Sequence, residues 1–246
     1  MKIFKSLCEA CYNGNDRLSL RMIQADFVNN KLRLCSSNGQ VLVSYLFKNI
    51  KSNKFYYLPR NEAKTLINEE KFCFKNGKIN NIKLIEDGEK IKICDTKTTI
   101  GSWENASAEE HFPKIDNVIP TKFFYRFKIN RKLLRRALKD ETHVTLKITE
   151  NSLLVYSSKV SQRTHKQTRK SKPKVTIPIK FIDSTFDCTE TMLFNTDILK
   201  TALCLPYDNI VLEFNTRVTA LVVKYEDKQI SVINLACPMH ITNDSI

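Results

Sequence analysis

The chain has 246 residues, of which 42% are apolar, and a formal net charge of +14 from 40 lysines and arginines against 26 acids. This length suits one large domain or two domains of about 120 residues, each with enough apolar side chains for a core. A sequence pI near 9.4 indicates a nucleic-acid partner, and the alternative is a basic protein with no polyanionic partner. The longest apolar runs fall well short of the roughly 18 residues of a membrane span. We therefore expect a soluble intracellular protein.

Eight cysteines lie scattered among apolar neighbours, and no apolar leader precedes them. Reduced, buried thiols in a cytosol are therefore expected in place of disulfides. Cys8 and Cys11 have the spacing of half a zinc site, but no second Cys or His pair stands at a matching distance. Both thiols also fall on the apolar stripe of a predicted helix. We expect no metal and no other cofactor.

The first half of the chain predicts a helix, a set of strands, a second helix and further strands. Residues 2–12 have helical periodicity, with Ile3, Phe4 and Leu7 on one stripe. The period then changes to two, which predicts strands at 18–23, 31–35 and 41–47. A helix at 60–69 follows. The remaining strands of this half are predicted at 71–75, 79–85, 90–94 and 98–103, with hairpin turns at Asn76-Gly77 and Asp87-Gly88.

The second half repeats this order. Helices are predicted at 130–139 and 195–203, and strands at 123–129, 143–149, 152–157, 175–181, 210–215, 219–225 and 229–236. The apolar stripes of corresponding helices lie 130 and 132 residues apart, which indicates an internal duplication. We therefore predict an α+β fold with two tandem domains, residues 1–120 and 121–246. Each has two helices packed on antiparallel sheet, and residues 112–122 form the crossover between them.

The third predicted helix has an unusual distribution of charge. Its apolar stripe comprises Leu133, Leu134, Ala137 and Leu138. Its opposite face comprises Arg131, Lys132, Arg135, Arg136 and Lys139. A solvated helix face normally mixes signs because like charges repel, whereas the first acid here is Asp140, at the end of the helix. Five cations without a counter-charge predict an anionic partner across this face.

A second basic segment, residues 159–174, contains seven lysines and arginines and no acid. Such a run is typical of a mobile loop between strands.

The sequence contains no recognisable set of catalytic residues. The four histidines are far apart in sequence, and the five glycines form no phosphate-binding loop. We expect that the protein is not an enzyme.

Three short segments share their order and spacing with the motifs of one family. They are residues 37–42 (Ser-Asn-Gly-Gln-Val-Leu), 111–120 (His-Phe-Pro-Lys-Ile-Asp-Asn-Val-Ile-Pro) and 236–241 (Ala-Cys-Pro-Met-His-Ile). They resemble Thr-Asp-Gly-His-Arg-Leu, Phe-Pro-Asp-Tyr-x-x-Val-Leu/Ile-Pro and Met-Pro-Met-Arg-Leu of the DNA sliding clamps, specifically of the bacterial DNA polymerase III beta subunit. The resemblance covers nearly the whole chain, and the tandem helix-and-sheet pattern agrees with it.

The resemblance implies a ring in which the helices face double-stranded DNA and the sheets form the outer wall. The cations would then be a sliding, salt-sensitive track for phosphates that reads no sequence. The helix residues expected to face DNA are Lys2, Lys5, Lys64, Arg131, Lys132, Arg135, Arg136, Lys139 and Lys200. In the basic segment, either Arg163, Lys166, Arg169 and Lys170 also contact DNA or the segment is a solvated loop.

The resemblance also implies a hydrophobic groove that captures short linear peptides of a DNA polymerase, a clamp loader and other replication proteins. Carried over by position, its lining is Leu20, Ser37, Gly39, Val41, Leu42, Pro113, Asn117, Val118, Leu235, Cys237, Pro238 and Met239. Apolar side chains with a flexible methionine make an adaptable cleft. The alternative is that Leu20, Leu42 and Val118 are core residues.

Several departures from the family affect these expectations. Bacterial clamps have three domains per chain, and this sequence matches only the second and third and starts directly in the first helix. Gln40, Val41 and His240 replace a His and two Arg of the family, so the peptide preference is expected to differ. Since six domains close such a ring, we expect a head-to-tail homotrimer of two-domain chains.

The leading hypothesis is a processivity factor for DNA replication in the cytoplasm, on nucleoid DNA. The alternative is a basic accessory protein that keeps the clamp fold without forming a ring, and binds nucleic acid or competes for clamp-binding peptides. The missing first strand favours this alternative, because it removes a sheet edge needed for closure. An unrelated nucleic-acid enzyme is the third hypothesis.

Overall fold

The computed structural model describes residues 3–14, 17–51, 55–73, 83–87, 90–94, 99–104, 112, 114–161, 167–182, 191–205 and 207–239. The helices are α1 (Ile3–Ala10), α2 (Arg60–Cys73), α3 (Ile115–Val118), α4 (Arg131–Ala137) and α5 (Thr196–Ala202). The first seven strands are β1 (Met22–Val28), β2 (Lys31–Ser37), β3 (Val41–Lys51), β4 (Tyr56–Pro59), β5 (Lys83–Asp87), β6 (Lys90–Cys94) and β7 (Thr99–Glu104). The others are β8 (Tyr125–Asn130), β9 (His143–Ile148), β10 (Ser152–Val160), β11 (Gln167–Arg169), β12 (Val175–Pro178), β13 (Lys180–Phe181), β14 (Thr191–Asn195), β15 (Asn209–Phe214), β16 (Leu221–Glu226) and β17 (Ile230–Ala236).

The first of two compact units comprises Met1–Ile115, Cys204–Pro206 and Glu226–Asn234. Its strands run in the order β17-β3-β2-β1-β4, and β5-β6-β7 form a separate antiparallel sheet. Helix α1 lies against α2 and against β2 and β3. The unit is therefore a pair of helices laid on antiparallel sheet.

Helix α1 is held to this sheet by its apolar stripe and by two serine hydroxyls. The Ser6 hydroxyl lies 2.7 Å from the Tyr45 hydroxyl, and the Ser36 hydroxyl donates to the Leu7 carbonyl at 2.8 Å. The predicted apolar stripe is confirmed, because each of its members is less than 5% exposed: Ile3, Phe4, Leu7, Cys8 and Cys11.

The second unit comprises Asp116–Leu203, Tyr207–Tyr225 and Leu235–Ile246. One sheet has the order β13-β8-β15-β16, and in the other β10 pairs with β9, β11 and β12, while β14 pairs with β9. Helices α4 and α5 each begin where a strand ends in asparagine. The Asn130 side chain accepts from the Leu133 amide at 3.2 Å, and the Asn195 side chain accepts from the Asp197 amide at 2.8 Å. Asparagine is among the best N-cap residues because its oxygen satisfies an amide that has no partner within the helix.

The same strand order recurs in both units. Strands β4-β1-β2-β3 of the first unit correspond to β14-β9-β10-β12 of the second, and in each set the first strand leads directly into a helix. This recurrence agrees with the duplication that the helix spacing predicts. The predicted α+β class, with helices on antiparallel sheet, is confirmed. The predicted domain boundary at residue 120 stays a prediction.

The structure corrects the sequence-based elements at several positions. Leu18–Arg21 forms a 3-10 turn before β1, because an apolar-polar alternation of only four residues fits a tight turn as well as a strand. Residues 71–73 continue α2 and do not begin a strand. Gln167–Arg169 forms β11 within the segment predicted as a loop. The predicted turns at 76–77 and 87–88 involve positions outside the described residues.

A buried ion pair joins β1 to β2 in the first unit. Arg33 donates from Nε and Nη2 to the two carboxylate oxygens of Asp26, at 2.7 and 2.6 Å. The Gln24 amide donates to the same carboxylate at 2.9 Å. Asp26 is 3% exposed and Arg33 is 8% exposed. A buried pair with this bidentate geometry contributes little net stability, but removal of one partner leaves an uncompensated charge.

We predict that Asp26→Ala lowers the free energy of unfolding by about 3–5 kcal/mol, because Arg33 then stays buried without its carboxylate. Urea denaturation measures this loss. The matched control is Glu226→Ala, which breaks the exposed pair with Lys48 and is expected to cost less than about 1 kcal/mol. Equal losses for the two variants would contradict the prediction.

Candidate nucleic-acid interface

Helix α4 is rotated relative to the face that the sequence predicts. Leu134, Ala137 and Leu138 are at most 1% exposed and face the core, as expected. Leu133, predicted on the apolar stripe, is 38% exposed, and Arg131, predicted on the outer face, is only 8% exposed. The predicted placement of these two residues is therefore wrong. The helix has only seven residues, so its apolar pattern alone does not determine its rotation.

Arg131 is buried because backbone carbonyls of the α5–β15 connection accept its hydrogen bonds. Its Nε donates to the Tyr207 carbonyl at 2.6 Å, and its Nη1 donates to the Leu203 carbonyl at 3.3 Å. Its Nη2 lies 3.5 Å from the Asp208 carboxylate, and its backbone amide donates to the Asp208 carbonyl at 2.7 Å. Arg131 therefore connects the start of α4 to this connection, which makes it a structural residue.

The exposed cations of α4 differ in whether an acid faces them. Lys132 donates to the Asp208 carboxylate at 2.7 Å. This hydrogen bond is the main cause that lowers the pKa of Asp208; burial opposes it, and the charges of Lys132 and Arg131 lower the pKa further. The prediction that no acid faces the helix is thus wrong for Arg131 and Lys132. Within the described part of the chain, no ion pair is formed by Arg135, Arg136 or Lys139, which are exposed.

We predict that Arg131→Met lowers the free energy of unfolding by about 2–4 kcal/mol, because it leaves two carbonyls without their donor, at about 1–3 kcal/mol for each buried group. Thermal and urea unfolding measure the loss. Arg135→Met is the control on the same helix and is expected to change stability by less than about 0.5 kcal/mol. An Arg131 variant as stable as the Arg135 variant would show that the carbonyl contacts are unimportant.

Residues 167–174 of the basic segment lie along one edge of the sheet that contains β9, β10 and β14. Arg169 pairs with Ser158 in the β10–β11 ladder, and Val175 pairs with Val155 in the β10–β12 ladder. Residues 170–174 lie between the two ladders and are all exposed. We call residues 169–174 the edge bulge. The expectation of a wholly irregular loop is therefore wrong for the described residues, while Arg163 and Lys166 lie outside them.

One acid fastens the edge bulge to the end of α4. Lys174 Nζ donates to the Lys139 carbonyl at 2.7 Å and to the Glu141 carboxylate at 2.9 Å, and the Ser157 hydroxyl donates to Glu141 at 2.8 Å. Burial raises the pKa of Glu141, but the hydrogen bonds from Lys174 and Ser157 and the charges of Lys174 and Lys170 lower it below its ordinary value. Glu141 therefore stabilises the folded state above the ordinary glutamate range, and this contribution is lost as pH falls through the lowered pKa.

We predict that Glu141 titrates below the ordinary glutamate value of 4.5. The Lys174→Gln substitution should raise the pKa of Glu141, since it removes a charge and a charge-assisted donor. Carboxyl-resolved NMR titration measures both values. Lys128→Gln, a change on a different sheet, is the control and should leave the pKa of Glu141 where it is. A Glu141 pKa that does not respond to Lys174→Gln would contradict the contact.

Two cations on the other helices have local counter-charges. Lys5 pairs with Glu9 at 3.6 Å on α1, and Lys200 pairs with Asp197 at 3.7 Å on α5. Such exposed pairs are worth about 0–1 kcal/mol and open readily to a stronger anion. Lys64 is exposed on α2. Lys2 lies outside the described residues.

The predicted groove residues of the first unit are mostly buried. Leu20, Val41 and Leu42 are 7%, 2% and 5% exposed. Ser37 donates from its hydroxyl to the Val41 carbonyl at 2.9 Å, and the same hydroxyl accepts from the Gly39 amide at 3.1 Å. Gly39 has a φ of 87°, which side chains rarely adopt, so the tight β2–β3 turn requires glycine there. The burial of Leu20 and Leu42 agrees with the alternative that they are core residues.

The predicted groove residues of the second unit are more accessible. The exposed ones are Asn117, Val118 and Cys237, and the buried ones are Leu235 and Pro238. Val118 is 46% exposed, so it is not a core residue of this unit. Met239 is half-buried and its amide donates to the Leu193 carbonyl at 2.8 Å. Pro113 lies outside the described residues, and whether these positions line one groove stays a prediction.

The described thiols differ in their burial. Cys8, Cys11 and Cys35 are buried thiols, as expected, whereas the Cys237 thiol is exposed. Burial, assisted by Cys8, raises the pKa of Cys11 to about 12, so its thiol stays neutral and is a poor ligand. Over the same residues, no three His, Cys, Asp or Glu side chains are grouped to hold an ion, and no helix is long and apolar enough to cross a membrane.

Comparison with solved structures identifies the fold. A DNA polymerase sliding clamp from Pseudomonas aeruginosa superposes with a TM-score of 0.74 at 12% identity, over 98% of this chain and 64% of that chain. A putative DNA polymerase III beta subunit from Eubacterium rectale gives 0.71 at 14% identity, over 98% and 63%. The chain has the fold of the DNA sliding clamps. The Helicobacter pylori beta clamp bound to a DNA ligase peptide gives 0.67 at 13% identity, over 97% and 62%.

These similarities show that the chain has the clamp fold, and they show nothing further about it. The chain spans less than two thirds of the length of the clamps that it matches. No family model and no curated protein matches its sequence.

The sequence analysis missed two features of the candidate interface, namely the structural role of Arg131 and the counter-charge that Asp208 supplies. Asp208 is the last residue of the connection between α5 and β15. An acid in such a connection is too common in sequences to indicate a partner for α4.

Proposed function

We propose that the protein is a DNA sliding clamp, a processivity factor that encircles double-stranded DNA and tethers a DNA polymerase. The observation that supports this proposal is the clamp fold, which extends over 98% of the chain. The excess of 14 positive charges suits a polyanionic partner. The proposal assigns no catalytic step to the chain, because a clamp acts by retention on DNA.

The exposed face of α4 supports a contact with the phosphate backbone. Arg135, Arg136 and Lys139 are exposed, and Lys132 is also exposed although Asp208 pairs with it. Long cationic side chains on a helix surface contact phosphates without reading base edges. A clamp needs this property, because it must move along DNA without holding one register. Arg131 is not part of this contact surface, since its guanidinium is engaged by backbone carbonyls.

We also propose a peptide-binding groove that captures short linear segments of replication proteins. The H. pylori clamp is bound to a DNA ligase peptide, and a P. aeruginosa clamp is bound to griselimycin. In the second unit of this chain the accessible candidates are Asn117, Val118, Cys237 and Met239. A methionine side chain is flexible and can adapt to several partner side chains. The clamp loader and the polymerase are the partners expected to use this groove.

The proposed assembly is a head-to-tail homotrimer of two-domain chains. Six clamp domains close a ring, and three chains with two domains each supply six. A heterologous interface of this kind closes into a ring only when the rotation between subunits is correct. Retention on DNA is then topological, whereas the helix cations determine only how strongly the ring interacts with phosphates.

We predict a solution mass near three chains and retention on nicked circular plasmid that is lost when the plasmid is linearised. Light scattering at low and moderate salt measures the mass, and gel filtration of protein with circular or linearised plasmid measures retention. A topological ring leaves linear DNA through its ends, so the two forms of the same plasmid are matched controls. A monomer that binds both forms equally would contradict the ring. That result would support the alternative of a clamp-fold accessory protein.

A further inference from the structure

We propose that the edge bulge is a second binding site for the phosphate backbone of duplex DNA, and that it acts without encirclement. The site comprises Arg169, Lys170, Lys172 and Lys174 on the outer edge of β10, together with the end of α4. This inference goes beyond the proposed ring, because the contact requires neither a closed oligomer nor a groove. It assigns a role to cations that the helix track does not use.

Backbone hydrogen bonds hold both ends of the edge bulge on β10. The Lys170 amide donates to the Ser157 carbonyl at 3.2 Å, and the Lys174 amide donates to the Val155 carbonyl at 2.8 Å. On β10, only Tyr156 lies between the two accepting residues. On the opposite side, residues 171–173 lie between the two donors, so the chain bulges outward there. Pro173 cannot donate to a ladder, and lysines on an edge disfavour pairing with another strand. The edge is thus unsuited to the addition of another strand, and its cationic side chains stay accessible to solvent.

Side-chain contacts further order this edge. The Arg169 guanidinium lies over the Tyr156 ring, 4.5 Å from its centroid. The Gln167 amide donates to the hydroxyls of Thr145 and Ser158, which are themselves hydrogen-bonded at 2.6 Å. An ordered cationic segment loses less conformational entropy on binding than a free loop does. The anchoring therefore favours a binding role over that of a solvated loop.

The charge around the edge bulge favours DNA over an acidic protein surface. The sequence has no aspartate or glutamate between residues 151 and 182. Glu141, the acid in contact with the bulge, is already engaged by Lys174 and Ser157. Lys170 and Lys172 stay exposed. Duplex DNA offers one negative charge per roughly 1.7 Å of its axis, a density that suits closely spaced cations.

The edge bulge also continues the cationic face of α4. Lys174 Nζ donates to the Lys139 carbonyl, so the bulge touches a residue just beyond the end of this helix. An ammonium at a helix C-terminus is favourable because it neutralises the exposed carbonyls. The exposed cations of α4 and of the bulge therefore belong to one surface of the second unit. A duplex lying along α4 would meet the bulge at its C-terminal end.

The test is the salt dependence of binding to a short linear duplex, from which a ring can slide off. The variant is Lys170→Gln/Lys172→Gln, which alters two exposed side chains and none of the anchoring contacts. The matched control is Lys128→Gln/Lys180→Gln, an exposed pair of lysines opposite each other on β8 and β13 with the same loss of charge. Thermal unfolding of both variants verifies that the fold is retained.

We expect the variant to lower the slope of log affinity against log salt by about 2, since each phosphate contact contributes about 0.9. The affinity lost between about 50 and 200 mM salt then becomes roughly tenfold smaller than for the parent. The control should keep the parent slope, and Lys170→Arg/Lys172→Arg should keep it too. An unchanged slope in the glutamine variant, or an equal decrease in the control, would overturn the proposal.

Retention of the same proteins on circular plasmid separates this proposal from the ring. If the parent is a topological clamp, the Lys170→Gln/Lys172→Gln variant should still be retained on circles and lost from linear plasmid. If the parent is a monomer, the ring proposal fails, while a slope change specific to the bulge variant still supports the second site. If the parent forms a ring but the glutamine variant keeps the parent slope, the ring proposal is supported and the second site is overturned.

Discussion

The buried guanidinium of Arg131 is the interaction on which the rest of the candidate interface depends. It joins the first residue of α4 to the carbonyls of Leu203 and Tyr207, 72 and 76 residues further along the chain. This attachment fixes the rotation of a helix that is too short for its apolar pattern alone to determine which face is buried. Leu134 and Leu138 then pack inward, and the remaining cations point to solvent. An arginine suits this role because its planar group donates in several fixed directions.

The distribution of acids separates structural cations from available ones. Arg131 and Lys132 share Asp208, Lys174 uses Glu141, and Arg126 and Lys224 flank the buried Glu213. None of these acids is an immediate sequence neighbour of its partner, and strand pairing or a turn brings the two together. The other exposed lysines and arginines of α4 and of the edge bulge have no such partner over the described residues. The surplus of positive charge is therefore concentrated where a polyanion can approach.

Much of the fold follows from local patterns. Apolar residues at helical spacing predict α1, and strict alternation in residues 143–148 predicts β9, because side-chain direction follows backbone period. The repeated spacing of helices predicts two related halves, and the strand orders β4-β1-β2-β3 and β14-β9-β10-β12 agree. Patterns fail where a segment is short. The four residues of Leu18–Arg21 and the three of β11 carry too few side chains to define a period.

The sequence by itself indicated most of the helices and strands, the repeated helix spacing, the clamp-like motifs and the excess of cations, since these depend on composition and on neighbours a few residues apart. The tertiary structure decided which cations are available. It buried Arg131, exposed Leu133, placed Asp208 beside α4 and anchored the edge bulge through Glu141. The physical reason is that a charge is neutralised by whatever lies within a few ångströms in space. Such neighbours are set by strand register and helix rotation, which local periodicity does not encode.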